Sequence, residues 1–247
     1  MKKLATVFAT LCFLVLVMGC SVHHTQGAGA TPAGVDSQKA QLTDRVQQAS
    51  QDLTQLMNAP DSEIPEEILA KAECVVVIPD MVKGGFVFGA EHGRGLASCR
   101  SNHGWSAPAP VALSGGSWGA QIGVQSADVV LLFMNDHAVQ SLLNDQFKMG
   151  GEASIAAGPV GRHAQASTDL KLNAQILSYS RTKGLYAGLD LNGAKVSQDM
   201  DTTVALYGKS IPFRTILSGQ VRTPTEAQPF VASVRKNFHE AAVAAKD

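Results

Sequence analysis

The sequence predicts an α+β domain, a strongly twisted antiparallel sheet or partly closed barrel with helices packed on it. Three observations lead there. Short β-branched and aromatic runs, cut by Gly and Pro, crowd residues 74–134 and return after 174. Apolar stripes at helical spacing flank them on both sides. The length, 228 residues once a leader is removed, suits one large or two small domains and can bury a full core.

The leader is residues 1–19. Lys2 and Lys3 precede an almost wholly apolar run from Leu4 to Met18, too short for a spanning helix and flanked as a secretory signal. It ends in Val17-Met18-Gly19-Cys20, the pattern at which bacterial lipoproteins are cut and acylated. Cys20 is therefore expected to carry a diacylglycerol on sulfur and an N-acyl chain such as palmitate. Met18 stands where a small residue is commoner, and the competing reading is an ordinary secretory signal with an incidental Cys. Ser21, not Asp, follows the Cys, which points to the outer membrane of a Gram-negative envelope, facing the periplasm.

The mature chain keeps 18 Lys and Arg against 21 Asp and Glu, a net charge of −3. This excludes a polybasic protein and makes nucleic acid an improbable partner. Cys12 leaves with the leader and Cys20 takes lipid, so Cys74 and Cys99 remain, an even pair in an exported chain and a candidate disulfide. The alternative is two buried free thiols.

Residues 20–35 read as a flexible tether of small and polar residues. His23 and His24 lack further ligands at metal-binding spacing. From Asp36, the stripe Leu42, Val46, Ala49, Leu53 and Leu56 predicts a helix. It has few cations and no aromatic, so it is expected to pack on the core and not on a bilayer. Pro65, Glu66, Glu67 and Lys71 mark a second, short helix.

Three strands are expected next: Val75–Ile78 closed by Pro79, Gly85–Ala90, and, after a turn at Gly93-Arg94-Gly95, Leu96–Cys99. Trp105–Leu113 reads as an edge strand because of Pro108 and Pro110, broken by Gly115-Gly116. Ser117–Val124 alternates with period two, and Val129–Met134 is the most apolar run. Asp136 is expected to cap a helix reaching Phe147. After a Gly-rich stretch from Gly150 to Leu170, Ala174–Ser180 and Gly184–Leu191 read as a hairpin, with a turn at Asn192-Gly193. Short helices are expected at Thr202–Tyr207 and Phe213–Leu217. The last helix, 224–243, opens on a capping box with Thr223 as cap, Pro224 at N1 and Glu226 at N3, and carries Phe230, Val234 and Phe238 on one face.

The segments CVVVIP (Cys74–Pro79), KGGFVFGAEHGRG (Lys83–Gly95), GWSAPAPVALSGGSWGAQIGVQSADVVLLFMN (Gly104–Asn135), FKMGGEASIAAGPVGR (Phe147–Arg162) and ILSYSRTKGLYAGLDLNGA (Ile176–Ala194) resemble the SYLF-domain family, in order and over most of residues 72–208. The resemblance implies a lipid-binding module within 36–247, with no cofactor, and places the chain among bacterial exported lipoproteins. Eukaryotic relatives bind phosphoinositides, and some bind and bundle actin. They use a basic amphipathic N-terminal segment that the helix here does not match, and actin binding does not carry over.

Lys83, Arg94, Arg162, Arg181 and Lys183 lie nearest the Gly-rich turns and form the candidate contact for an anionic phospholipid headgroup. Scattered solvated charge is the competing reading. Gly115-Gly116-Ser117-Trp118-Gly119 matches the GxSxG pattern of serine hydrolases, but a strand-like run follows Ser117 where that chemistry needs a helix. Glu91-His92 is not a zinc-peptidase motif, Asp199 and Asp201 lack a calcium-loop pattern, and His163 reads as a surface residue. The expected function is phospholipid binding without catalysis. The alternatives are an envelope scaffold that binds another protein or the cell wall, and a hydrolase using Ser117.

Overall fold

A computed structural model describes residues 32–57, 64–85, 88–118, 123–144, 146–160, 174–182, 185–188 and 191–244. The leader, Cys20, the tether up to residue 31 with His23 and His24, Arg162, His163 and Lys183 lie outside them, while residues 32–35, read as tether, begin α1 instead. Two helices lead in, α1 (Pro32–Met57) and α2 (Glu66–Lys71). Strands β1 (Cys74–Gly85), β2 (Phe88–Ser101), β3 (Gly104–Trp105), β4 (Ala109–Trp118) and β5 (Gly123–Phe133) follow. Helix α3 (Asp136–Leu142) separates them from β6 (Gln146–Lys148), β7 (Ile155–Ala157), β8 (Ile176–Thr182), β9 (Leu185–Gly188) and β10 (Lys195–Gln198). The chain closes with α4 (Met200–Tyr207), a short α5 (Phe213–Thr215) running into a π-turn (Ile216–Gln220), and α6 (Gln228–Ala244).

The sheet order is β6-β10-β4-β2-β1-β5-β8-β7, with β3 on β2 and β9 on β8. All pairs are antiparallel except β7–β8, so the sheet is mixed, and it curls into a half-barrel with helices alongside it. This is the α+β architecture that the sequence predicts.

Alternation along the strands divides the core into two. Val75, Val77, Leu96, Val130 and Leu132 face the helices and pack against Leu42, Val46, Ala49 and Leu53 of α1 and Phe230, Val234 and Phe238 of α6. Val76, Ile78, Leu131 and Phe133 face the other way, onto Leu142, Phe147, Phe213 and Ile216. The α1 stripe read from the sequence is therefore fully buried at these four positions. Each Leu or Val among them contributes about 1.5–3 kcal/mol by leaving water.

Several local expectations are corrected. Pro79 does not end β1. The register shifts between Ile78 and Met81, and Asp80 takes φ of 47°, so a bulge absorbs the residue that cannot donate to the ladder. No turn forms at Gly93-Arg94-Gly95, and β2 is continuous. A Cβ on Gly95 would collide with the Val77 carbonyl oxygen, and one on Gly93 would sit 2.5 Å from Ile78 Cγ2. These glycines mark close approach of β1 and β2, not a reversal. β4 is flanked by β2 and β10 and is no edge strand, and it continues through Gly115-Gly116 to Trp118. Asn135, not Asp136, caps α3 by accepting from Ala138 N at 3.0 Å, and Phe147 belongs to β6. No capping box precedes α6: a 3-10 turn, Thr225–Ala227, leads into it without a side-chain cap, and Glu226 lies 3.3 Å from Lys39 of α1.

Cys74 and Cys99 are directly opposite in the β1–β2 register and are joined as a disulfide. The bridge closes 25 residues of chain, a loop for which the chain-entropy argument gives about 3 kcal/mol. Thiol labelling of the denatured, unreduced chain is expected to find neither cysteine free. The Cys74→Ala, Cys99→Ala double variant is expected to lose about that much stability in urea. Two labelled thiols at these positions would contradict the bridge.

Candidate functional site

Helix α1 lies across the sheet and is tied to it by one charged cluster, while a second ion pair joins β2 to the start of α4. Over β5 and β8, Arg181 stands directly opposite Asp128. Its Nε donates to Asp128 Oδ2 at 2.9 Å and its Nη2 to Asp52 Oδ1 of α1 at 2.6 Å. Asp128 Oδ1 also accepts from Asp80 N at 3.1 Å, which ties the β1 bulge into the same cluster. Over β2, Arg94 Nε lies 3.5 Å from Asp199 Oδ2, and Asp199 caps α4 by accepting from Thr202 N at 3.0 Å.

These positions decide what the basic residues can do. The Arg181 side chain is only 15% exposed and is committed to two carboxylates. It is a structural clamp and not a headgroup contact, which corrects the reading of its place beside a turn. Lys83 Nζ lies 3.9 Å from Glu91 Oε2, its cross-strand neighbour on the face away from α1. Arg94 is half-exposed on the helical face. Lys83, Arg94 and Arg181 thus do not share one patch. Periodicity could not show this, because each partner carboxylate comes from a different strand or helix.

The sequence reading missed the surface beyond α1. Toward the β1–β2 and β4–β5 turns, no helix among the described residues lies over the helical face of the sheet. Val124 is 78% exposed and Val82 45%, with Gly84, Ala90 and His92 around them by cross-strand register. Two exposed valines among small residues make a small apolar end, bordered by His92 and by Ser126, which is opposite Val82 and donates to Asp80 Oδ1.

Ser117 lies within β4, paired with Gly89, and a strand residue, Trp118, follows it. It is not on the strand-to-helix turn that a nucleophilic Ser of this motif requires. Among the described residues, no three His, Cys, Asp or Glu side chains are grouped to hold a metal, and no helix is long and apolar enough to cross a membrane.

Burial, reinforced by the Asp128 carboxylate and opposed by Arg181, pushes Asp52 up to about 7. Between the ordinary carboxylate range and that value, the folded chain holds a proton that the unfolded chain releases. Its contribution therefore falls as pH rises through this window and is constant above it. Asp52→Asn, which keeps the shape and removes the charge, is expected to flatten the decline in urea stability between pH 5 and pH 8. At pH 8 it should match or exceed the parent by about 1 kcal/mol. An unchanged slope would contradict the clamp's protonation.

Over residues 114–237, from β4 into α6, the chain matches the Ysc84 family model, described as "Las17-binding protein actin regulator". It is 39% identical over 170 residues to an SH3 domain-containing protein of Schizosaccharomyces pombe, covering 67% of this chain and 39% of that protein. It is 32% identical over 173 residues to the SH3 domain-containing YSC84-like protein 1 of Rattus norvegicus, covering 69% of this chain and 51% of the relative. It is also 32% identical over 175 residues to protein YSC84 of Saccharomyces cerevisiae, covering 69% and 37%. The chain thus spans about half or less of the length of these relatives. With half of its residues matched by the family model, from within β4 through β5–β10 into α6, the chain belongs to the Ysc84, or SYLF-domain, family.

Proposed function

We propose that this chain is an exported, lipid-anchored envelope protein whose domain binds phospholipid without catalysis. The observation that carries the reading is the uncovered apolar end of the sheet, Val82 and Val124 among small residues. Such a surface gains free energy by entering the headgroup region, and a chain of net charge −3 has little general attraction to an anionic surface. Cys20, as the acylated residue, supports the same reading. Only eleven residues separate it from Pro32, the first of α1. Extended, they reach about 40 Å, so an acyl chain at Cys20 would keep the domain within contact of a bilayer. The disulfide suits an oxidising compartment such as the periplasm. The SYLF resemblance supplies the lipid-binding expectation.

Lys83, Arg94, Arg162 and Lys183 remain auxiliary contacts in this proposal, and an anionic lipid is preferred only through them. A second reading, an envelope scaffold that binds another protein, is favoured by the family's own description as Las17-binding.

Two variants separate anchor from domain. Cys20→Ala should leave the membrane fraction or remain uncleaved. In that background, the domain should still float with phosphatidylglycerol vesicles, with little change between low and high salt. Val82→Asp with Val124→Asp should weaken flotation at least tenfold, since roughly 1.5 kcal/mol or more is at stake per valine. Thermal stability should not change, because both side chains are exposed. Failure of the parent to float with any lipid would leave the scaffold reading. Equal flotation of the double variant would remove the apolar end from the lipid contact.

A further inference from the structure

At the far end of β2 from the exposed valines lies a cleft of about 280 Å³. One wall is the turn between β2 and β3, with Ser101 and His103. The other is the segment after the π-turn, with Arg222, and the first turns of α6, with Arg235; Trp105 lies between them. Three basic side chains, His103, Arg222 and Arg235, thus converge on one cavity, and no carboxylate lines it. Among the described residues, neither arginine has a hydrogen-bond or ion-pair partner. Other described surface cations are matched to acids, Lys39 with Glu226, Lys83 with Glu91 and Arg94 with Asp199, or, for Arg214, to the Gln140 amide oxygen. Arg100, close in sequence, does not compete for a ligand here. It stacks on Trp105 at 4.9 Å and donates to the Ala70 and Ala72 carbonyls.

The cleft is built by a backbone constraint. Gly219 has φ of +81°, and a Cβ there would lie 2.7 Å from Ser101 Oγ. Only glycine allows the post-helical segment to turn this tightly against the β2–β3 turn and carry Arg222 toward Arg235.

We propose that this cleft is a binding site for a phosphate-bearing anion, with the Arg222 and Arg235 guanidiniums as its fork donors and His103 as a third contact. Guanidinium geometry matches phosphate oxygens bidentately, and like charges left facing each other without a carboxylate are relieved by a bound anion. The site is independent of the apolar end: β2 carries the two at opposite ends. A domain resting on a bilayer by its valines would present this cleft away from the surface, which favours a soluble phosphomonoester over a headgroup of the same membrane.

The test uses the full chain with Trp118→Phe, so that Trp105 alone reports fluorescence, titrated with glycerol 3-phosphate, inorganic phosphate and glycerol. Saturable binding of glycerol 3-phosphate, absent with glycerol, is expected. Arg222→Gln and Arg235→Gln should each weaken it by roughly tenfold with unchanged thermal unfolding. Adding phosphatidate vesicles separates the sources. If the chain binds glycerol 3-phosphate equally well while bound to vesicles, the ligand is soluble. If vesicles displace it and Arg222→Gln reduces vesicle binding, the same phosphate chemistry is a headgroup's. No saturable response to either phosphate compound, or a response insensitive to both arginine substitutions, overturns the site and leaves the lipid reading standing. Phosphate binding without any vesicle binding would sustain the site and overturn that reading.

Discussion

One guanidinium holds α1 to the sheet. Arg181 reaches Asp128 on the neighbouring strand and Asp52 on the helix, and the Asp80 backbone closes the cluster on the Asp128 side. Removing the guanidinium from this set is expected to cost about 3–5 kcal/mol, because the two buried carboxyl groups would be left facing each other without their cation. Surface pairs such as Lys39 with Glu226 contribute about 1 kcal/mol or less. The apolar stripe Leu42, Val46, Ala49 and Leu53 supplies most of the helix's docking energy but would tolerate sliding along the sheet. The Arg181 cluster fixes where along the strands the helix sits.

That placement creates the surface to which function is assigned. With α1 held over the middle of the sheet, its helical face ends toward the β1–β2 and β4–β5 turns without a covering element among the described residues, and Val82 and Val124 stay exposed. The close approach of β1 and β2 at Gly93 and Gly95 brings the paired strands into a tight curl. At the other end, Gly219 lets the chain fold back on Ser101 and assemble the cationic cleft. Two glycine-dependent contacts and one ion cluster thus separate an apolar end from a basic one.

The α1 and α6 stripes, the most buried run at Val129–Phe133, the turn at Asn192-Gly193 and the α+β class were legible in the sequence, because periodicity and glycine act locally. The errors share one cause. Gly93, Gly95, Gly115 and Gly116 read as breaks, whereas Gly93 and Gly95 make room for a neighbouring strand whose position no local window contains. Pro79 read as a strand end because a bulge depends on the partner's register. β10 has no strong pattern of its own and forms because β4 and β6 offer it edges. Among candidate contacts, Arg181 stood beside a turn in sequence and beside two carboxylates in space. The cluster of His103, Arg222 and Arg235 is spread over more than a hundred residues, and nothing in spacing or composition joins them.

The most direct measurement of the account is where the domain touches a bilayer. A polarity-sensitive fluorophore placed by Val124→Cys, and separately by Lys236→Cys on the exposed side of α6, would be compared on phosphatidylglycerol vesicles. The account predicts a blue shift at position 124 and none at position 236. A shift at 236 with none at 124 would contradict it, because the apolar end of the sheet would then be facing water.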